Sequence, residues 1–214
     1  MNQKQKTIQP SERIIMTKSL TIYSDCFYKD IRIKEQQCPY TWYSELLDLL
    51  YSHFLAAKEW HQSKRTITTR FDFTFPSCYS ESCEGVFSVF LAEFMKNIPP
   101  EYELLYFWVR EQAESNHPHY HLLLLASKLK HRSFHRLFNY ANVLWCKHLD
   151  IPLIRGYVQE NRTHTINWKQ EQHDGKYSFD KAFHHAVYLA KTKEKEHNPG
   201  YSKLYGISKT KDAK

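Results

Sequence analysis

The apolar positions of this chain follow two different periods, and together they predict both strands and helices. Between residues 66 and 75 the residues Ile67, Thr69, Phe71, Phe73 and Phe75 alternate with more polar ones, which is typical of a half-buried strand. Runs rich in β-branched, aromatic and aliphatic residues predict further strands over 20–23, 103–112, 119–126 and 156–168. Apolar residues at helical spacing predict helices over 41–62 (with Thr41 as N-cap), 80–98, 131–149 and 180–196.

This order of elements predicts an α+β fold, in which helices cover mainly one face of a central, largely antiparallel sheet. We expect a single domain over residues 41–198, with a core at 64–195 and a docking helix at 41–62. Residues 1–40 are polar and basic at several points, which favours an N-terminal arm. Residues 199–214 are predicted to form a solvated basic tail.

Composition narrows the possible classes of protein. The chain has 214 residues, of which 42% are hydrophobic, so it can bury a core and is not disordered. No apolar run approaches the roughly 20 residues that a membrane span needs. Five cysteines without a C-x-x-C pair favour reduced thiols, and we expect a cytoplasmic protein with no membrane partner. The net charge of +7 favours a polyanionic partner.

The sharpest motif is a run of alternating histidines, His117-Pro-His119-Tyr-His121. Residues two apart on a strand project to the same face, so His119 and His121 present two imidazoles side by side. Neutral imidazole is a common ligand of divalent metals. His117 is a weaker candidate because it precedes a proline, where the backbone is still turning.

A carboxylate is expected to complete this site as a third ligand. Glu111 is preferred, because it ends the strand that is predicted to pair with the histidine strand. Asp72, Glu114 and His117 remain alternatives, since the irregular segment 112–118 does not define the register. The alternative to a metal site is a strand end with solvated polar side chains.

The last predicted helix carries a polar stripe at helical spacing, formed by His184, Tyr188, Lys191 and Lys195. A tyrosine that attacks a phosphodiester forms a covalent phosphotyrosyl linkage. A lysine one turn away would stabilise the charge on the phosphorane. We therefore identify Tyr188 and Lys191 as candidate catalytic residues; an ordinary amphipathic surface is the alternative.

Basic and aromatic residues elsewhere predict contacts to a nucleic-acid strand. Trp108, Tyr120 and Trp168 are candidates for base stacking. The candidate phosphate contacts are Arg70, Arg110, Lys128, Lys130, Arg132, His184 and Lys195.

The joint order of these motifs resembles the HUH endonucleases. The run Arg70-Phe-Asp-Phe-Thr-Phe75 is similar to the first strand motif of rolling-circle replication initiators, His119-Tyr-His121 to their metal motif, and Tyr188-Leu-Ala-Lys191 to their single-tyrosine motif. Within that superfamily the chain is most similar to the YagK/YfjJ family, or inovirus-type replication proteins, of prophages and other mobile elements. This resemblance covers about residues 64–195.

The resemblance implies an RRM/ferredoxin-like nuclease fold and a divalent metal cofactor, Mg²⁺ or Mn²⁺. It implies nicking and joining of single-stranded or hairpin DNA at an origin, through a 5′-phosphotyrosyl intermediate. Tyr177 would be the next candidate for the nucleophile. The chain contains no Walker A sequence, so unwinding would require a host helicase or polymerase partner. A non-catalytic DNA-binding module and a single-tyrosine transposase are the alternatives.

Overall fold

The computed structural model describes residues 20–33, 40–61, 65–80, 82–112, 116–127, 131–154, 156–169, 178–193, 195 and 203–209. The strands are β1 (Ile22–Tyr23), β2 (Phe27–Tyr28), β3 (Ile31–Arg32), β4 (Trp42–Tyr43), β5 (Arg65–Phe73), β6 (Leu105–Glu111), β7 (His119–Ala126), β8 (Val158–Glu160), β9 (His164–Asn167) and β10 (Tyr205–Ile207). The helices are α1 (Ser44–Trp60), α2 (Val86–Lys96), α3 (His131–His148) and α4 (Ser178–Ala186), with 3-10 turns at Pro100–Tyr102 and Val187–Ala190.

A six-stranded antiparallel sheet forms the centre of the molecule, and the predicted α+β class is confirmed. The strand order is β10-β6-β7-β5-β8, and β9 also pairs with β5. Strand β7 is therefore flanked on both sides, by β6 and β5. Hydrogen bonds to both neighbours fix the position of β7, and so they also fix the direction of its side chains.

Both faces of the sheet are covered by helices, which differs from the expectation that helices lie mainly on one face. Helices α2 and α3 pack on one face, against an aromatic core that includes Phe73, Phe90 and Trp145. Helices α1 and α4 pack on the other face, against a core that includes Leu123 and Phe183. Strands β6 and β7 are buried at nearly every position, and a sheet that is apolar on both sides must be covered on both.

The described part of the predicted N-terminal arm packs on the domain. Strand β1 pairs with β4, and β2 pairs with β3. Tyr28, Ile31 and Ile33 are buried in the core beneath α1 and α4. The arm prediction was therefore wrong for residues 20–33, where these apolar side chains alternate with exposed polar ones.

Helix α1 begins three residues later than predicted, and Thr41 is not its N-cap. Tyr43 occupies that position and makes no side-chain capping hydrogen bond. The hydroxyl oxygens of Thr41 and Thr192 instead lie 2.7 Å apart and share a hydrogen bond. Thr41 thus links the start of the domain to the segment that follows α4.

Two further boundaries differ from the prediction. The single strand expected over 156–168 is divided into β8 and β9, which both pair with β5. Part of the expected solvated tail forms β10, which covers the edge of β6. At Gly206 a Cβ atom would lie 2.5 Å from Nε1 of Trp108, so only glycine allows this close approach.

In the part of the chain that the structure describes, no helix has both the length and the apolarity needed to cross a bilayer.

Candidate active site on the central sheet

Three neighbouring strands bring polar residues together at one end of the sheet, on the face covered by α1 and α4. Asp72 of β5 lies directly opposite His121 of β7, and Glu111 of β6 lies opposite His119 of β7. His121 is 7% exposed. Its Nδ1 lies 2.6 Å from Oδ1 of Asp72, and its Nε2 lies 2.9 Å from Oε2 of Glu111. Each ring nitrogen of His121 is therefore held by a different carboxylate.

Both carboxylates also contact a cation on their outer side. Arg70 donates to Asp72 through Nε at 2.9 Å and through Nη2 at 3.1 Å. Lys195, whose side chain is fully buried, donates to Oε1 of Glu111. The result is a continuous chain of alternating charges, Arg70–Asp72–His121–Glu111–Lys195, in which every charged group contacts at least one group of opposite charge.

These contacts shift the pKa of each group at the centre of the chain. Burial alone would raise the pKa of Glu111, but the hydrogen bond from His121 and the charge of Lys195 lower it to about 2. Burial likewise opposes ionisation of Asp72, but His121 and Arg70 lower its pKa. Burial would lower the pKa of His121, whereas its hydrogen bonds to both carboxylates raise it. His121 is thus stabilised as an imidazolium that donates two hydrogen bonds.

Tyr188 lies next to this charged chain. Its ring contacts the imidazole of His121 edge to face, with ring centroids 5.4 Å apart and an interplanar angle of 82°. The guanidinium carbon of Arg70 lies 4.4 Å from the centre of the Tyr188 ring, and Nζ of Lys191 lies 4.2 Å from it. Two cations therefore flank the phenol.

The backbone around Tyr188 differs from the long helix that the sequence predicts. Helix α4 ends at Ala186, and Tyr188 belongs to a 3-10 turn that ends at Ala190. Lys191 then forms a β-bridge with Trp42, so the α-helical stripe predicted as far as Lys195 is absent. Lys191 still reaches Tyr188, and its Nζ also lies 3.8 Å from the centre of the Tyr40 ring.

The predicted metal ligands differ in how well the structure unites them. His121 and Glu111 are in direct contact, and His119 is opposite Glu111 in the strand register. Of the alternatives, Asp72 contacts the other nitrogen of His121, while Glu114 lies outside the described residues. His117 lies 3.5 Å from the sulfur of Cys83, beside Phe75 of the α2–α3 core. Within the described ranges, no group of three His, Cys, Asp or Glu side chains forms a complete ligand set.

The predicted phosphate contacts are distributed over different environments. Arg70 and Lys195 are buried in the charged chain and bonded to carboxylates, not displayed on a surface groove. Arg110 projects from the opposite face of the sheet, and His184 bonds to the carbonyl oxygen of Arg32. Lys128, Lys130 and Tyr177 lie outside the described residues, as does the side chain of Arg132.

The three candidate stacking residues are also separated. Trp108 and Tyr120 are buried on the α2–α3 face. Trp168 packs beside Phe179 on the other face and donates its indole hydrogen to Oγ1 of Thr66, 2.8 Å away. These positions are typical of core aromatics.

Two contributors to the site were not identified from sequence. Asn161, in the loop between β8 and β9, donates to Oδ2 of Asp72 at 2.6 Å. Tyr40, which precedes β4 in the sequence, contacts Lys191 through its ring. No local motif marks either residue, because each reaches the site through strand pairing and packing. The Arg70-x-Asp72 spacing, by contrast, was a usable signal for the Arg70–Asp72 pair.

The fold and this site define an antiparallel α+β domain that concentrates histidine, carboxylate, tyrosine and cationic groups at one end of its sheet. Residues 33–208 match the family described as the YagK/YfjJ C-terminal domain. The chain therefore belongs to the YagK/YfjJ family, as its motifs predict. No curated protein and no solved structure matches it.

Proposed function

We propose that this protein is a metal-dependent enzyme that nicks and joins single-stranded DNA, with Tyr188 as its nucleophile. The observation that carries the proposal is the contact between Tyr188 and His121, whose ring centroids lie 5.4 Å apart. The sequence motifs mark one residue as a nucleophile and the other as a metal ligand, and such chemistry requires the two to be adjacent. A tyrosine on an ordinary amphipathic surface would not be expected to contact the imidazole of His121.

The geometry around His121 fits a divalent ion. The Nε2 atom of His121 and Oε2 of Glu111 lie 2.9 Å apart, so the two residues would offer adjacent nitrogen and oxygen donors to one ion. Asp72 on Nδ1 fits the carboxylate that commonly orients a metal-binding imidazole. His119, opposite Glu111, would supply a further ligand.

Such an ion, Mg²⁺ or Mn²⁺, would polarise the scissile phosphate. Binding of an ion at Nε2 of His121 requires that this nitrogen lose its proton. Lys195 bonds to the other oxygen of Glu111, Oε1, and can keep that contact. Ion binding therefore competes with the hydrogen bond between His121 and Glu111.

The residues around Tyr188 have distinct roles in the proposed reaction. The phenol oxygen attacks the phosphorus, the bond from phosphorus to the 3′ oxygen breaks, and that oxygen takes up a proton. The phenolic proton is released to solvent. The products are a 5′-phosphotyrosyl protein and a free 3′-hydroxyl, and the reverse reaction rejoins the strand. Arg70 and Lys191 would stabilise the negative charge that develops near the Tyr188 ring.

The biological role that best suits this chemistry is replication initiation on a prophage or another mobile element. A free 3′-hydroxyl is a primer for a polymerase, and the phosphotyrosyl bond conserves the energy needed for later joining. The substrate would be single-stranded or hairpin DNA at an origin, opened by a host helicase. A transposase of the same chemistry would act on hairpin ends instead.

The test is a search for the covalent adduct. The protein is incubated with Mn²⁺ and pooled single-stranded oligonucleotides from its own flanking DNA, and mass spectrometry after denaturation locates any attached nucleotide. We expect a Mn²⁺-dependent adduct on Tyr188 that is lost in Tyr188→Phe and retained in Tyr157→Phe, a matched control away from the site. An adduct that persists in Tyr188→Phe would refute the assignment. Tight binding without any adduct would favour a non-catalytic DNA-binding module.

A further inference from the structure

Two histidines of neighbouring elements lie together beside the charged chain, on the face of the sheet covered by α1 and α4. His164 begins β9 and has the same parity as Ile166, which is buried in the α1–α4 core. His185 lies in the last turn of α4. The two rings are in contact, with centroids 5.1 Å apart and an interplanar angle of 52°. Both residues are half-buried, so the pair lies at the surface of the packing between β9 and α4.

This histidine pair is adjacent to the proposed nucleophile. His185 precedes Tyr188 by three residues, which is about one helical turn. On β5, Thr68 is the register partner of His164, and Arg70 follows two residues later on the same face. The guanidinium carbon of Arg70 lies 4.4 Å from the centre of the Tyr188 ring, and its charge also acts on His185. Arg70 therefore links the phenol to the histidine pair.

The charges around the two imidazoles are mainly positive. Among the described residues, those that act on them most strongly are Arg70, Arg162, Lys181 and Asp72. Asp72, the one carboxylate in this set, already accepts hydrogen bonds from Arg70, His121 and Asn161. Arg162 and Lys181 are exposed, and neither forms an ion pair with another described residue. We refer to Arg162, His164, Lys181 and His185 as the basic cluster.

Two acidic residues are close to this cluster in the sequence, but both have other surroundings. Glu160 has the parity of Val158, which is buried in the α2–α3 core on the opposite face of the sheet. Asp180 precedes Lys181 in α4 and lines a different hollow, together with Trp168. Burial raises the pKa of Asp180, and no cation opposes that rise. Neither carboxylate therefore neutralises the basic cluster.

A pair of imidazoles can bind a metal ion or an anion, and these surroundings favour the anion. A metal ion would be repelled by Arg70, Arg162 and Lys181, whereas an anion would be attracted by all three. Neutral imidazole donates one N–H, and the guanidinium of Arg162 donates in a fork that matches phosphate oxygens. Within the described ranges, no third His, Cys, Asp or Glu side chain completes a metal ligand set with the pair.

We propose that the basic cluster binds a phosphate of the DNA strand, next to the phosphate that Tyr188 attacks. This inference rests on the proposed nicking function, because Tyr188 defines where the scissile phosphate lies. Arg162 and Lys181 supply positive charge from the exposed rim, and the histidine pair supplies hydrogen bonds. The contact holds the strand across Arg70 and so positions the scissile phosphate at the phenol oxygen. It reads the backbone and not the base, so it accepts any sequence beside the nick.

Phosphate binding would also change the charge of the histidines. Burial and the surrounding cations lower the pKa of His185 to about 4, and burial, Arg162 and Lys181 lower the pKa of His164. A phosphate that offsets these cations and restores the ordinary pKa of about 6.5 would let His185 take up a proton. The complex then carries one proton more than the free protein. DNA affinity should therefore rise as the pH falls, by about tenfold from pH 7.5 to pH 5.5.

The salt dependence of DNA binding tests the contribution of Arg162. The probe is the pool of single-stranded oligonucleotides from the flanking DNA, labelled with fluorescein and used without metal, and fluorescence anisotropy measures the affinity. Arg162→Gln should weaken binding about tenfold and lower the log–log salt slope by about 0.7, the value for one single-strand phosphate contact. Arg136→Gln, at an exposed position of α3 on the other side of the sheet, is the matched control. Equal affinity and slope in the two variants, or no binding by the parent protein, would overturn the proposal.

The pH dependence of the same binding tests the contribution of the histidine pair. His185→Gln keeps a hydrogen-bonding side chain but cannot take up a proton, so the rise in affinity should fall to about threefold or less. His135→Gln, at an exposed position of α3, is the matched control and should keep the rise of the parent protein. A rise retained in full by His185→Gln would contradict the proposal.

The adduct assay separates this proposal from the proposed function. A parent protein that forms the Tyr188 adduct, with equal DNA affinity in Arg162→Gln and Arg136→Gln, would retain the nicking function and lose the phosphate site. A parent protein that forms no adduct, with weakened affinity in Arg162→Gln alone, would lose the nicking function and retain a phosphate contact in the basic cluster.

Discussion

The two faces of the central sheet are formed by the same strands but carry side chains of different chemistry. On the α1–α4 face, Asp72, His121 and Glu111 form a chain of ion pairs in which each group contacts one of opposite charge. On the α2–α3 face, Arg110 lies among aromatic rings beside a cavity. The first face holds its charged side chains in internal ion pairs, whereas the second borders a cavity of about 580 Å³.

This difference has a consequence for ligand binding. A ligand on the first face must compete with ion pairs that already exist, so it must bring charge of its own, as a divalent ion or a phosphate does. A ligand on the second face only fills space and adds contacts. We therefore expect substitutions on the first face to affect folding, chemistry and metal affinity together, and those on the second face to affect binding alone.

The largest expected effect comes from breaking the ion-pair chain at Glu111. In Glu111→Gln the buried ammonium of Lys195 loses its counter-charge, and we expect a loss of about 3 kcal/mol in the free energy of unfolding. Urea denaturation followed by circular dichroism measures it. The double variant Glu111→Gln/Lys195→Met should regain most of that loss. If the double variant is no more stable than the single one, the buried ion pair is not the cause.

The second prediction compares two histidines of the same motif, His119 and His117, that lie on opposite faces of the sheet. On the proposed mechanism, in which His119 supplies a further metal ligand, His119→Ala should lower Mn²⁺-dependent cleavage about a hundredfold. His117→Ala, two residues away but beside Cys83 on the cavity face, is the matched control and should leave cleavage within about twofold. Mn²⁺ binding, measured by electron paramagnetic resonance, should weaken in the first variant alone. Equal losses in both variants would contradict the separation.

The third prediction concerns a second buried histidine on the same side of the sheet, His53 of α1. Burial lowers the pKa of His53 to about 4, whereas the pKa of His121 is raised by its carboxylates. An unfolded histidine takes up a proton near pH 6.5, which the folded His53 does not do above about pH 4. Its contribution to stability is thus complete above pH 6.5 and falls by about 2 kcal/mol at pH 5.

Chemical denaturation at pH 7 and pH 5 checks this. His53→Gln should lose about 2 kcal/mol less than the parent protein between these two pH values. His184→Gln, on an exposed position of α4, should behave as the parent does. An unchanged acid sensitivity in His53→Gln would assign the effect to other groups.

The smallest expected effect is on the rate of adduct formation. Lys191→Ala removes the ammonium 4.2 Å from the centre of the Tyr188 ring and should slow the reaction about tenfold, with DNA affinity unchanged. Lys193→Ala, an exposed lysine two residues further on, is the control. A rate equal to that of the control would show that Lys191 only packs on Tyr40 and Tyr188.

Much of this architecture was predictable from local patterns. The period-2 alternation in β5 and the apolar run in β7 identify both strands to within two residues at each end, because burial on a pleated surface imposes that period. The spacing of His119 and His121 places them on one face without any structural information. Membership of the YagK/YfjJ family was also apparent from the short motifs in their order.

Other features have no local signal. The tail strand β10 has only three residues, and it exists because the edge of β6 requires a hydrogen-bonding partner. The predicted long last helix ends at Ala186, since Lys191 is taken into a β-bridge with Trp42. Helices cover both faces of the sheet because β6 and β7 are apolar on both sides.

The sequence by itself determined which residue types are available and to which side of a strand each one points, because side-chain direction on a strand is set by parity. Only the tertiary structure decided their partners. It made Asp72 a support for His121, buried Lys195 on Glu111, and brought Tyr188 beside His121. These are long-range contacts, and their geometry depends on strand register and helix packing that no local pattern encodes.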